Sequence, residues 1–237
     1  LLEGLYALIE EGLSLMFGIM RLVNLAHGDL NVLSAYITLA FVSLLGLHPF
    51  VAAFVAAPVM FGIGWLLQRL VLNRVLGPDI LPPLLVTFGL SIVLQNALLE
   101  TWSADSRRLS VGALETASLS LGPITVGVLP VMTFVTAVLV IVILNQISFK
   151  TELGRAFRAT SDDPVTAQLM GIRPNSIFAT AMGLAMVIAV IAALYLGIRA
   201  NFDPSIGPAR LIYAFEAVII ENTHLSSGGS IIPFEDI

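Results

Sequence analysis

Seven stretches of this chain, roughly 4–23, 29–47, 50–70, 81–100, 125–147, 176–198 and 208–220, are apolar over about the length of one membrane crossing. Inside hydrocarbon every backbone N–H and C=O must be satisfied within the protein, so such segments must be helices. The rest of the composition agrees. Hydrophobic residues make up 57% of the chain and charged residues 11%, against about 25% charged in soluble domains. The expected fold is therefore all-α, a polytopic integral membrane protein built as a single transmembrane domain over 1–237, with about seven helices. The last span is cut short, so further C-terminal spans are expected to be missing or altered. A net charge of −5 is small and scattered, which gives no reason to expect a nucleic-acid partner. The absence of Cys excludes disulfides, thiolate metal sites and a Cys nucleophile.

The longest polar interruption in the second half runs from 148 to 176 and contains Lys150, Arg155, Arg158 and Arg173. It reads as folded. Thr151 can cap a short helix through Ala159, with Glu152 at its positive end. Asp163 before Pro164 restarts a helix, Gly171 stops it, and Pro174 forbids its continuation. Val165, Leu169 and Ile172 fall at helical spacing, predicting an apolar face. This loop and 71–80 share one side of the membrane. With Arg21 and Arg69 they carry seven basic residues, against Arg107, Arg108, Arg199 and Arg210 opposite. The excess places 148–176 in the cytoplasm.

Several polar groups fall inside or beside the spans. Glu10 and Glu11 interrupt the first, where each ionised carboxylate costs about 2.5–3.5 kcal/mol at the helix centre. The pair marks either a polar pathway or a span that really begins near Gly12, and the second reading is preferred. Asn24, His27, Gly28 and Asp29 make a polar break in which Asp29 is a candidate N-cap. One His and one Asp are too few for a metal site. Thr87, Ser91, Gln95 and Asn96 lie at near-helical spacing, as interhelical hydrogen-bonding groups or pathway lining. Ala181, Ala185, Ala189, Ala193 and Gly197 recur every fourth residue, a ridge on which another helix can close. Residues 101–124 form a Ser-, Thr- and Gly-rich loop with strand character near 117–121, and 201–208 reads as a turn-rich connector.

The chemistry that is missing narrows the function. There is no phosphate-cradling G-x-x-x-x-G-K-[ST], no H-E-x-x-H and no G-x-S-x-G. His27, His48 and His224 are far apart. No catalytic set exists, so the chain is expected not to be an enzyme. A multi-span protein with a folded polar loop fits transport powered from outside the chain.

Four segments carry a family resemblance. G-L-S-L-M-F-G-I-M-R-L-V-N-L-A-H-G-D (12–29), L-V-T-F-G-L-S-I-V-L-Q-N (85–96), T-E-L-G-R-A-F-R-A-T-S-D-D-P-V-T-A-Q-L-M-G-I (151–172) and F-D-P-S-I-G-P-A-R-L-I-Y-A-F-E-A-V (202–218) resemble permease subunits of branched-chain amino-acid ABC importers. The first and third are fairly specific, while the others are shared with related sugar and urea permeases. The resemblance implies a multi-pass protein of a bacterial or archaeal inner (plasma) membrane. Its partners would be a second permease subunit, two ATPase subunits that hold ATP and Mg, an extracytoplasmic substrate-binding protein and membrane lipid. The chain itself would bind no cofactor. On this resemblance Gly154, Arg155, Arg158, Asp163 and Gly171 belong to the ATPase-coupling loop, and Asn24, His27, Thr87, Gln95 and Asn96 to the substrate pathway. A urea, amide or sugar permease of the same superfamily and an ion-coupled secondary transporter are the alternatives. The chain departs from the family pattern at Glu10–Glu11, where small or apolar residues are usual, and at Glu221–Asn222, where a Gly-rich turn is usual.

Overall fold

The computed structural model describes residues 3–20, 24–77, 79, 81–115, 117–121, 124–209 and 211. Eight α-helices occur among them: α1 (Glu3–Met20), α2 (His27–Leu45), α3 (Pro49–Leu70), α4 (Leu81–Trp102), α5 (Val128–Lys150), α6 (Glu152–Asp162), α7 (Pro164–Leu169) and α8 (Pro174–Arg199). Five of them, α2, α3, α4, α5 and α8, are long and apolar enough to cross a membrane. The chain is thus an all-α polytopic membrane protein. Two 3-10 turns (Leu72–Arg74 and Gly112–Glu115) and a short antiparallel hairpin in the 101–127 loop, β1 (Ser118–Leu121) and β2 (Ile124–Gly127), with Ser118 opposite Gly127, are also formed. The expected span at 208–220 lies outside the described residues beyond Leu211, as do Glu216 and Glu221–Asn222.

Helix boundaries follow local chemistry. Pro49 and Pro174 occupy first-turn positions of α3 and α8, where a missing N–H costs nothing. Gly46 ends α2 in the left-handed conformation at φ 62°. α1 departs from expectation. It runs unbroken through Glu10 and Glu11 rather than beginning near Gly12, and Glu11 is half-buried against a groove between α1, α5 and α6.

The bundle is organised around α8. Of its apolar span 67% is buried, against 22% for α4 and for α5. Ala181, Ala185, Ala189, Ala193 and Gly197 are all buried, so the four-residue repeat is the contact surface. Its most extensive partner is α3, followed by α1 and α2. Small residues answer each other across the α3–α8 seam. A Cβ on Gly64 would lie 3.0 Å from the Met182 carbonyl oxygen, and one on Gly183 would lie 2.8 Å from the Phe61 ring. Lipid tails are as apolar as these side chains, so close backbone approach and dispersion, rather than exclusion of water, hold the seam together.

The two ends are closed differently. At one end Arg107 and Phe202 exchange backbone hydrogen bonds of 2.9 Å, Leu109 N donates to the Gly197 carbonyl, and Phe202 and Trp102 both pack on the Tyr36 ring. At the other, Asn73 Nδ2 donates to the Asn175 carbonyl and Ser161 Oγ to the Gly18 carbonyl. That end therefore gathers the end of α1, the turn after α3 and the α6–α7 loop. Ala185→Leu should force the α8 seam apart at a cost of about 1–3 kcal/mol, read as a lowered melting temperature in detergent. Ala97→Leu, on the exposed face of α4, should leave it unchanged.

Candidate functional site

Half-way through the bundle, α2 begins in the wrong place for a simple span. His27 at its first turn lies against Gly12, midway along α1, where an added Cβ would be 3.4 Å both from His27 Cε1 and from the carbonyl oxygen of Ala185, midway along α8. Asp29 accepts a 2.5 Å hydrogen bond from Ser91 Oγ, midway along α4. At about 1.5 Å per residue, all three landmarks sit on the order of 15 Å from the helix ends. So residues 24–29 lie at mid-depth, buried throughout except for half-exposed Leu25. Backbone buried in that way needs partners. His27 N donates to the Asn24 carbonyl, Ala26 N to Asn24 Oδ1, and Leu30 N to the Ala26 carbonyl.

A second segment arrives at the same depth from the opposite end. After α8 the chain turns at Asp203, whose Oδ1 accepts from Ser205 N at 2.9 Å, and a new helical turn starts at Gly207. Gly207 is pressed onto the start of α2. A Cβ on Gly28 would lie 2.0 Å from the Gly207 carbonyl oxygen, and a Cβ on Gly207 2.0 Å from Asp29 Oδ1. Only glycine fits on either side. The two segments pack together at the centre of the bundle, and a void beside the junction, between Asn31, Ala193 and Phe202, holds about 10 Å³.

The junction brings together some of the expected pathway residues. Asn24, His27 and Asp29 are fully buried, and Gln95 joins them by donating to Ser91 Oγ at 3.1 Å. Thr87 is buried one turn away but donates to the Leu84 carbonyl of its own helix. Asn96 is exposed, bonds the Ile92 carbonyl and stands apart. Asp29, expected as an N-cap, has no capping role: Ala26 occupies that position, and the Asp29 carboxylate instead bridges α2 to α4. Asn24 Nδ2, Asp29 Oδ1 and, beside the void, Asn31 Oδ1 have no hydrogen-bond partner among the described residues, so the junction retains unmatched donor and acceptor groups. Sequence reasoning missed the glycine pair, whose signal is distributed between 28 and 207. Among the described residues no cluster of His, Cys, Asp or Glu could hold a metal ion.

The 148–176 loop is folded at the end of the bundle where α1 finishes. Thr151 caps α6 by accepting from Gly154 N at 3.2 Å, and α6 continues to Asp162, three residues beyond expectation. A Cβ on Gly154 would come within 2.0 Å of the Ser148 carbonyl oxygen, so glycine there lets α6 fold back hard on the end of α5. Arg158 secures the same corner, donating to the Ser148 carbonyl and lying 5.3 Å above the Phe149 ring. Arg155 makes only an exposed contact with Glu152 at 3.4 Å, worth little in water.

Asp163 caps α7, accepting from Val165 N and Thr166 N. Its hydrogen bonds, that from the Thr166 hydroxyl first, hold the carboxyl below the ordinary aspartate range. The cap is therefore complete at neutral pH and lost only on acidification through that lowered pKa. Gly171 reverses the chain at φ 85°. Ile172 falls beyond this turn, so it leaves the face shared by Val165 and Leu169. Those two are 68% and 83% exposed and Met170 is 80% exposed.

Four of the five residues expected in this loop, Gly154, Arg158, Asp163 and Gly171, thus shape it, while Arg155 stands exposed; Val165, Leu169 and Met170 are exposed apolar side chains beside them. Ser91→Ala should leave the buried Asp29 carboxylate without its donor and cost about 1–3 kcal/mol. Asn96→Ala should stay within about 0.5 kcal/mol, both read as melting temperatures in detergent.

Comparison with known proteins shows the family. The family described as branched-chain amino acid transport system / permease component matches residues 2–232. The chain is similar to the high-affinity branched-chain amino acid transport system permease protein BraD of Pseudomonas aeruginosa, 29% identical over 229 residues, 91% of this chain and 74% of that protein. It is also similar to the corresponding permease protein LivH of Escherichia coli, 28% identical over 236 residues, 92% of this chain and 75% of that one. A probable LivH of Methanocaldococcus jannaschii is 26% identical over 243 residues, 97% and 74% of the two chains. No solved structure matches. With nearly its whole length inside the family match, the chain belongs to the permease components of branched-chain amino acid transport systems.

Proposed function

We propose that this chain is the permease subunit of an ATP-driven importer in the inner membrane, forming the pathway for branched-chain or other small neutral amino acids. It pairs with a second permease subunit and receives solute from an extracytoplasmic binding protein. Two ATPase subunits, which hold the ATP and Mg, grip the 148–176 loop from the cytoplasm. The observation that carries this reading is the outward face of α7. Val165, Leu169 and Met170 are exposed large apolar side chains, presented by a capped loop. A short apolar helical face of this kind suits helix-in-groove recognition.

The contacts of the loop give it mechanical reach. Gly154 and Arg158 fix α6 to the end of α5, Ser161 bonds the end of α1, and Pro174 opens α8 directly after the loop. A displacement of α7 is thereby shared among α1, α5 and α8. Two of these helices, α1 and α8, flank the mid-depth junction through Gly12 and Ala185. Their separation would draw the start of α2 away from Gly207 and open the centre. Asn24 Nδ2 and Asp29 Oδ1 would then become available to a passing zwitterion, whose carboxylate needs donors and whose ammonium needs acceptors.

Val165→Asp combined with Leu169→Asp places charge on the docking face without touching the caps. ATPase subunits should then fail to co-purify, with apparent affinity reduced at least tenfold as for loss of interface hot spots, while helicity is retained. Arg155→Glu combined with Arg158→Glu should weaken binding less directly, by loosening the α5–α6 corner. Undiminished co-purification of both double variants would remove the coupling role from this loop.

A further inference from the structure

Beside α7, on the same end of the bundle and sharing Val165 with its outward face, lies a groove of roughly 960 Å³. Three arginines from separate elements face it: Arg69 in the last turn of α3, Arg74 in the turn that follows, and Arg173 immediately before α8. Gln168, Asn73 and Ser176 supply further polar groups, and no carboxylate lines it among the described residues. Among the described residues none of the three arginines forms a salt bridge. Converging like charges raise each other's energy unless an anion sits between them.

The groove is also held in shape. Buried Gln68 donates to Asn73 Oδ1 at 3.0 Å, and Asn73 Nδ2 donates to the Asn175 carbonyl at 2.9 Å, which ties the turn after α3 to the start of α8.

Its position identifies the anion. α3 has 22 residues, about the thickness of the hydrocarbon core at 1.5 Å per residue, so Arg69 near its end sits at the membrane surface. The Arg69 guanidinium lies 4.8 Å above the Trp65 ring, an arrangement at home in the headgroup layer. Residues 59, 62, 66 and 69 of α3 fall on one helical stripe. Val59 and Leu66 are 41% and 50% exposed, and Gly62 has open space where a side chain would be. An apolar track thus leads out of the membrane to Arg69. We propose that this groove binds an anionic phospholipid, its phosphate among Arg69, Arg74 and Arg173 and an acyl chain along Val59, Gly62 and Leu66. The groove shares only its rim residue Val165 with the outward face of α7. The two neighbouring surfaces therefore recognise different chemistry, one anionic and one apolar.

The test is lipid retention by the purified full chain, counted by native mass spectrometry after exchange into phosphatidylglycerol or phosphatidylcholine. The wild type should retain phosphatidylglycerol preferentially. Each of Arg69→Gln, Arg74→Gln and Arg173→Gln should weaken that retention about fivefold, and the triple variant should lose the preference. Arg107→Gln, at the opposite end, should not change it. Should the triple variant fail to fold, the single variants at exposed Arg74 and Arg173 carry the same reading.

Leu66→Gln separates a lipid from a free anion: it should lower phosphatidylglycerol retention, and inorganic phosphate should compete poorly. Full displacement by inorganic phosphate with no effect of Leu66→Gln would overturn the lipid assignment. So would unchanged lipid preference in the triple variant, or unchanged lipid retention with loss of a co-purifying protein subunit, which would hand the groove to a protein partner.

Discussion

The structure depends on satisfying a helix start that is buried inside the bilayer. A helix N-terminus exposes amide groups that water normally serves, and at mid-depth there is no water. Here Asn24 provides both its carbonyl and its side-chain oxygen to the incoming turn, and Gly207 packs flush on Gly28 where no side chain could fit. Asp29 is tied to α4 through Ser91, and Gln95 supports Ser91 in turn. None of this is possible unless α1 and α8 come close enough to wall in the segment. The alanine ridge of α8 and Gly12 of α1 allow that approach. Small residues are therefore used twice, once to hold the bundle together and once to let irregular backbone reach its centre.

The same economy explains how a signal from outside the bundle could reach that centre. The α6–α7 loop is anchored by Phe157 in the core and by buried Ala167, and its geometry is fixed by caps, by a glycine at a backbone crossing and by Arg158 on a carbonyl. These fixings hold it in shape while leaving Val165, Leu169 and Met170 exposed. A rigid loop passes displacement on, whereas a flexible one absorbs it. The basic groove next to it would then place a lipid headgroup beside the moving part, so that membrane composition could bias the position of α7.

Much of this architecture was legible in the sequence. Six of the seven apolar stretches coincide with helices, because length and hydropathy alone decide whether a segment can reside in hydrocarbon. The Ala181–Gly197 ridge was legible because a repeat of four is a helix face whatever it touches. The caps at Thr151 and Asp163 were legible because capping is a local bond. What could not be read were pairings between distant positions. Asp29 looks like an N-cap when only its neighbours are considered, and its actual partner is 62 residues away on α4. Gly28 and Gly207 each look like an ordinary turn glycine until they are seen to meet. Gly154, Arg158 and Asp163 stood out as loop residues, but local patterning does not show that their bonds to neighbouring backbone shape the loop, nor that Val165, Leu169 and Met170 stay exposed beside them. Ile172 was placed on the wrong face because Gly171 breaks the helical period one residue before it.

If residues 24–29 and the turn at Gly207 seal the pathway at mid-depth, they must part during the transport cycle. The chain contains no cysteine, so Ser91→Cys introduces a single thiol at the junction. Its rate of reaction with a small, charged, membrane-impermeant thiol reagent should be compared in the resting complex and in the complex turning over ATP. The account predicts a thiol nearly inert at rest, beside Asp29 in a dry centre, and at least tenfold more reactive during turnover. A thiol equally reactive in both states would mean that the junction is open to water throughout and closes nothing.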